Sequence, residues 1–259
     1  SSHLNQAPLA YKNDAFLDSW NGRSLRILSE YLEPLERFSR AKVRDTVVFF
    51  GSARIQEEGP LSRYYRDARE YARLITMWSA ALEPPTRRFV VCTGGGPGIM
   101  EAANRGASDA GGKTMGLNIA LPFEQYPNPF ITPELNLQFN YFFMRKFWFA
   151  YLAKALIVFP GGFGTLDELS EILTLVQTQK LSKKIKIQIY GTDFWKEVIN
   201  WDALVKHGVI SPEDLDLIEF VDDPHEALDN LKGFLAEHYL QPHQVRAAEE
   251  LPDIAKSRI

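Results

Sequence analysis

The sequence predicts an α/β fold: a Rossmann-like, doubly wound parallel sheet with an N-terminal helical extension. Three observations predict it. Short, unbroken apolar runs recur from residue 46 onward, most of them end in a glycine cluster, and stretches of helical period fill the intervals. Apolar runs of four or five without alternation fit strands covered on both faces, as in a parallel sheet. Strand, glycine turn and helix in repetition is the doubly wound pattern.

Residues 1–45 lack such runs. Leu25, Leu28, Leu32, Leu35 and Phe38 recur at three- and four-residue spacing, which is one face of a helix. Two helices are expected here, at 14–21 and 24–41. Val47-Val48-Phe49-Phe50 gives the first strand, running into Gly51-Ser52. Phe89-Val90-Val91-Cys92 runs into Thr93-Gly94-Gly95-Gly96-Pro97-Gly98, and Ala155 to Phe159 runs into Pro160-Gly161-Gly162-Phe163-Gly164. Ile185, Ile187 and Ile189 alternate with polar residues before Gly191. Helices are expected at 61–82, 98–110, 142–153, 166–181, 194–206 and 224–238. A Rossmann-like domain thus occupies 46–240, between the extension at 1–45 and a tail at 241–259.

Composition narrows the partners. The 259 residues carry 29 basic and 33 acidic side chains, a net charge of −4, which argues against a nucleic-acid partner. The single cysteine, Cys92, excludes an intramolecular disulfide and a multi-cysteine zinc site. It ends a buried strand and reads as core. No charged-then-apolar segment opens the sequence, so the expected location is cytoplasmic. The most apolar window, 141–159, is interrupted by Arg145, Lys146 and Lys154 and does not read as a membrane span. His207, His225, His238 and His243 have no metal spacing, so no metal is expected. The absence of G-x-S-x-G argues against a serine hydrolase of that type.

In a doubly wound sheet ligands sit beyond the carboxyl ends of the strands, where these glycine clusters fall. The loop from Pro160 to Thr165 opens a helix striped by Leu166, Leu169, Leu173 and Val176. Its glycines allow positive φ and close backbone approach. The free N–H groups of the helix start favour an anion, phosphate above all. Thr165 adds a hydroxyl, for a ligand or as a plain N-cap. The loop from Gly94 to Gly98 is not the dinucleotide fingerprint, because the third glycine would fall at Ile99. It either meets ligand, through Gly96, or packs. Gly111-Gly112-Lys113-Thr114 has Ala107 where a P-loop needs glycine and reads as a helix stop with a turn.

Between 136 and 163 there are three bases and no acid. Arg145 and Lys146 lie among Phe142, Phe143, Met144, Phe147, Trp148, Phe149 and Tyr151, in a helix apolar nearly all round and so read as mostly buried. A buried cation needs a partner, either a protein carboxylate or an anionic ligand. Glu168 shares a helix face with Thr165, and Asp167 lies about 100° round. Acids in a first helical turn can be dipole complements. A carboxylate beside a phosphate loop and opposite an arginine can also activate water or stabilise a positive, sugar-like transition state.

Taken together, Pro160 to Glu168 fits the signature P-G-G-x-G-T-x-x-E, and Arg145-Lys146 stands 23 residues before Glu168. On these residues the chain resembles the LOG family, cytokinin riboside 5′-monophosphate phosphoribohydrolases often labelled lysine decarboxylase-like. The resemblance covers residues 46–238. The stretches from Thr93 to Glu101 and from Leu121 to Glu124, with the N-terminal extension, look like the longer bacterial members. The resemblance implies hydrolysis of the N-glycosidic bond of a nucleoside 5′-monophosphate, AMP or a cytokinin riboside monophosphate, to free base and ribose 5-phosphate. It implies a catalytic pair of Arg145 and Glu168. Lys146, Gly161, Gly162, Phe163, Gly164, Thr165, Leu166, Asp167 and Thr174, with Glu124 and Gly96, are the implied substrate-binding positions. It also implies a homo-oligomer, either a dimer or an assembly of dimers. No cofactor is expected, since no Ser-x-His-Lys stretch of the kind that anchors pyridoxal phosphate occurs. The alternative is a non-catalytic carrier or sensor of a phosphorylated ligand, since molybdenum-cofactor carriers look like this fold and have a similar glycine loop.

Overall fold

A computed structural model describes residues 6–82, 88–122 and 126–241. The chain runs α1 (Asp14–Leu17), α2 (Arg23–Arg40), β1 (Thr46–Phe50), α3 (Ser62–Ala80), β2 (Val90–Thr93), α4 (Ile99–Asp109), β3 (Thr114–Ile119) and β4 (Asn136–Phe139). It continues with α5 (Phe142–Leu152), β5 (Ala153–Val158), α6 (Phe163–Gln177), β6 (Lys186–Tyr190), α7 (Thr192–Val198), α8 (Trp201–Lys206), β7 (Ile218–Val221) and α9 (Pro224–Tyr239). The strands form one seven-stranded sheet of order β4-β3-β2-β1-β5-β6-β7. Every pairing is parallel. This is the doubly wound α/β architecture the sequence predicts.

The apolar runs are unbroken because both faces of the sheet are covered. Val48, Phe50, Leu156 and Val158 pack into one core with Trp148 and Leu169. Val47, Phe49, Ile157 and Phe159 pack into the other with Tyr71 and Ile99. Strand order grows outward from β1 through β4, then restarts on the far side of β1 with β5. The β1/β5 boundary is therefore the topological switch point, where a crevice opens beyond the strand ends. Cys92 is buried in β2, and burial pushes its thiol up, as befits a core side chain. Gly111 (φ 70°) and Gly112 stop α4 by donating to Ser108 and Ala107 carbonyls.

Several expectations change. The helix expected at 14–21 is only α1, started by the Asn13 side chain and followed by a 3-10 turn at Trp20–Gly22. The stretch at 194–206 is two helices: Ile199 is extended, and Asn200 opens α8 by accepting the Ala203 amide at 2.9 Å. The helix expected at 166–181 begins earlier, at Phe163. β4 and β7 are edge strands with mixed burial, so neither makes the unbroken apolar run that marks β1, β2 and β5.

The leucine spacing correctly marks α2, but Leu25, Leu28 and Leu32 are exposed. The packed side is Ile27, Tyr31, Pro34, Leu35 and Phe38. It meets α5: Tyr31 stacks on Trp148 at 5.7 Å and Phe38 meets the same indole edge-on at 5.1 Å. The Glu30 carboxylate accepts the Asn140 and Tyr141 amides, and its carbonyl accepts Trp148 Nε1 at 2.8 Å. Helix α2 thus braces the start of α5. Among the described residues no helix is long and apolar enough to cross a membrane.

Candidate functional site

The ends of β1, β2 and β5 are joined at the switch point. The Ser52 amide donates to the Pro160 carbonyl at 2.9 Å, and the Ser52 carbonyl accepts the Ile99 amide at 3.1 Å. Gly98 (φ 71°) sits so close to that carbonyl that a Cβ would overlap it. Here the two glycine loops face the start of α5. A Cβ on Gly94 would stand 2.9 Å from Met100 Sδ and 3.8 Å from Arg145 Nη1. Gly96 is buried, and its carbonyl, like that of Gly95, accepts from Asn128 Nδ2, which also reaches Asn104 Oδ1. This loop is fixed by packing and makes room for Arg145.

Arg145 Nη2 lies 3.9 Å from Glu168 Oε1. The guanidinium lies near two rings, 5.2 Å from Phe142 and 5.7 Å from Phe149. Its Nε is buried without a hydrogen-bond partner among the described residues. Desolvation lowers the Arg145 pKa, although Glu168 and Asp167 oppose it. Glu168 is only 4% exposed. Burial pushes its carboxyl up to about 7, against the pull of Lys146 and Arg145 and with a smaller push from Glu171 and Asp167. A buried acid titrating near neutrality, facing a desolvated arginine in a crevice, has the marks of a functional group. Beside the pair, Lys146 Nζ lies 2.7 Å from Asp167 Oδ2 and 2.9 Å from Glu171 Oε2.

Helix α6 starts at Phe163 behind Gly162, with no side-chain cap. Thr165 is therefore the third helical residue rather than the N-cap, and its buried hydroxyl packs where a Cβ on Gly161 would be. Glu168 lies in the second turn and is not a first-turn dipole complement. None of Gly161, Gly162 and Gly164 has positive φ. What sets Gly162 and Gly164 apart is open space, since a Cβ on either would meet none of the described residues within 4 Å. Phe163, 93% exposed, stands at the same mouth.

The structure brings together Arg145, Lys146, Asp167 and Glu168, with the 161–165 loop leading into their helix. Leu166 packs against the core instead. Thr174 lies about 9 Å further along the helix axis than Glu168, exposed and donating to the Ser170 carbonyl. Glu124 lies outside the described residues. Helix α5 is not buried all round: Phe142, Phe143 and Phe147 are substantially exposed. Sequence reasoning missed Glu171, whose position four residues after Asp167 on one helix face was the available signal. It also missed Phe149 and Gly94 as neighbours of Arg145. Among the described residues no group of three or more His, Cys, Asp or Glu could hold a metal ion.

The family model described as "Possible lysine decarboxylase" matches residues 100–231, just over half of the chain. A curated relative from Oryza sativa subsp. japonica, "Probable cytokinin riboside 5′-monophosphate phosphoribohydrolase LOGL3", is 26% identical over 157 residues, 58% of this chain and 70% of its own. Among solved structures, the molybdenum cofactor binding protein from the phototrophic bacterium Rippkaea orientalis aligns with a TM-score of 0.50 and 17% identity, over 74% of this chain and 96% of that one. The X-ray structure of TM1055 aligns with a TM-score of 0.50 and 20% identity, over 73% and 99%. These two likenesses are of fold.

Proposed function

Because the chain belongs to the LOG family, whose model carries the description "Possible lysine decarboxylase", we propose that it hydrolyses the N-glycosidic bond of a nucleoside 5′-monophosphate, AMP or a cytokinin riboside monophosphate. The observation that carries this reading is the buried Glu168 facing Arg145 at 3.9 Å, just inside an uncapped helix start. The first amides of α6, beside the open space at Gly162 and Gly164, hold the 5′-phosphate. That anchor fixes the ribose over Glu168. The ionised Glu168 stabilises the oxocarbenium-like centre at C1′ and takes a proton from the attacking water. The water oxygen bonds to C1′ as the C1′–N electron pair leaves with the base, and the proton taken by Glu168 passes on to the base, which restores the carboxylate. Arg145, with an Nε unpaired among the described residues, orients a substrate oxygen and the carboxylate. General-base action of this kind contributes ~10²–10⁴-fold, and positioning through the phosphate adds to it.

The decarboxylase description calls for an imine-forming lysine, and such lysines have lowered pKa values. The lysine beside the pair does not fit. Burial pulls Lys146 down, but hydrogen bonds to Asp167 and Glu171 outweigh it and the net shift is upward.

The test is release of free base from AMP and isopentenyl-AMP by wild type and Glu168→Gln, read by chromatography. Loss of release in the variant is expected, and adenosine, lacking the phosphate, should be a poor substrate. Wild-type release by Glu168→Gln would sink the assignment. A second reading draws on the fold neighbour named as a molybdenum cofactor binding protein: a carrier of a phosphorylated ligand without turnover. A pterin released on denaturing the purified protein would favour the carrier. Tight AMP binding with no adenine formed would favour a sensor.

A further inference from the structure

The ammonium of Lys146, which the family resemblance assigns to substrate, is already taken up by two carboxylates of its own chain. We infer that Lys146 and Glu171 are positioning residues, which with Asp167 form a strut between α5 and α6 that sets how Arg145 meets Glu168. The inference rests on the hydrolase reading of the site.

Asp167 and Glu171 are four residues apart on α6 and so stand one above the other on the same face. Lys146 reaches between them at 2.7 and 2.9 Å, which uses two of its three donors. Arg145 precedes Lys146 on α5, and Glu168 follows Asp167 on α6. The strut and the pair are therefore adjacent on both helices. At 3.9 Å, Arg145 and Glu168 are too far apart for a hydrogen bond to fix their separation. Phe142, Phe149 and Gly94 confine the guanidinium but do not tie the two helices together.

The charged groups facing Glu168 are Lys146 and Arg145 from α5, with Glu171 and Asp167 from its own helix. Burial raises its pKa first of all, Lys146 is the largest charge lowering it, and Glu171 raises it. Removing Lys146 and removing Glu171 should therefore move Glu168 in opposite directions. Charge alone accounts for these shifts, so they check the placement of the two groups, and the strut itself is read from kcat against KM and from rescue by arginine.

The experiment uses the full chain as wild type, Lys146→Met, Lys146→Arg and Glu171→Gln. The Glu168 carboxyl is titrated by ¹³C NMR without substrate, its signal assigned from Glu168→Gln, and adenine release from AMP is followed against pH. Lys146→Met should move the Glu168 midpoint and the rising limb of kcat to higher pH, and Glu171→Gln should move both to lower pH. In Lys146→Met, kcat should fall roughly ten- to a hundredfold with KM little changed. Lys146→Arg, which can span both carboxylates, should restore most of it. A raised KM with kcat intact in Lys146→Met, or midpoints that stay put or move the same way, would overturn the strut. If no nucleotide yields free base, the hydrolase reading falls, and the strut is decided by a double-mutant cycle of Lys146→Met and Glu171→Gln in urea denaturation, where additive losses would overturn it.

Discussion

Glu168 occupies a place that favours its neutral form, and this couples the fold to pH. Its pKa is about 7 in the folded chain against an ordinary 4.5. Between these values the folded state holds a proton that the unfolded state has lost, so stability falls as pH rises through that window. Below it the neutral acid is fully accommodated. Above it the folded chain carries a buried carboxylate at a cost of about 3 kcal/mol. Glu168→Gln removes this cost. The variant should be more stable than wild type by about 2–3 kcal/mol near pH 8 and about equal near pH 4, as read by urea denaturation at both pH values. In the proposed role, Glu168 would be a reacting group that destabilises its own fold, a familiar compromise. The Arg145–Glu168 pair was legible in the sequence because a segment with bases and no acid ended at a glycine loop and then an acid. Glu171 was not legible. Its spacing from Asp167 marks a shared helix face, but its meaning lies in Lys146 on another helix, which that spacing does not reveal.

At the scale of the element, the start of α6 separates glycines that serve packing from glycines that leave space. Thr165 Oγ1 fills the place of a Cβ at Gly161, so Gly161→Ala should destabilise the protein by about 1–3 kcal/mol through overpacking. Gly164 is helical and faces none of the described residues. Gly164→Ala should hold or raise stability by roughly 0.5–1 kcal/mol and yet weaken binding of AMP, because the methyl enters the space assigned to the phosphate. Thermal melting with calorimetric AMP titration checks both variants. A Gly164→Ala protein that melted normally and bound AMP as wild type does would remove the phosphate from this helix start. The sequence predicted α6 but placed its start three residues late, because the apolar stripe begins at Leu166 whereas the backbone turns helical at Phe163. Strands β1, β2 and β5 were legible because burial on two faces leaves almost no polar position, whereas β3, equally buried, has no apolar run to mark it because Thr114, Gly116 and Asn118 interrupt it. The edge strands β4 and β7 carry polar side chains on their open sides and read as loop.

At the scale of the molecule, the N-terminal extension belongs to the site's support. Glu30 anchors the start of α5 through two backbone amides and the Trp148 indole. Glu30→Ala should lower stability by about 1–2 kcal/mol, since it removes the carboxylate that accepts the exposed Asn140 and half-buried Tyr141 amides while keeping the carbonyl that accepts the indole, and should lower base release in step, because α5 carries Arg145. Melting temperature and adenine release, measured together, check this. A homo-oligomer, proposed from the family resemblance, would cover Leu25, Leu28 and Leu32 of α2 and the exposed phenylalanines of α5. Sedimentation velocity should then give more than the monomer mass of 29.5 kDa. The strand order has a consequence for synthesis. As the chain leaves the ribosome, β1 to β4 can pair among themselves, leaving β1 with one unsatisfied edge. That edge is closed by β5, the strand that directly follows the helix of Arg145 and directly precedes the loop leading to Glu168. The half-made sheet therefore has no site. The event that covers β1 is the same one that brings arginine and glutamate face to face, while the open edge passes outward to β5 and then to β6 and β7, so the pair is assembled before the sheet is complete.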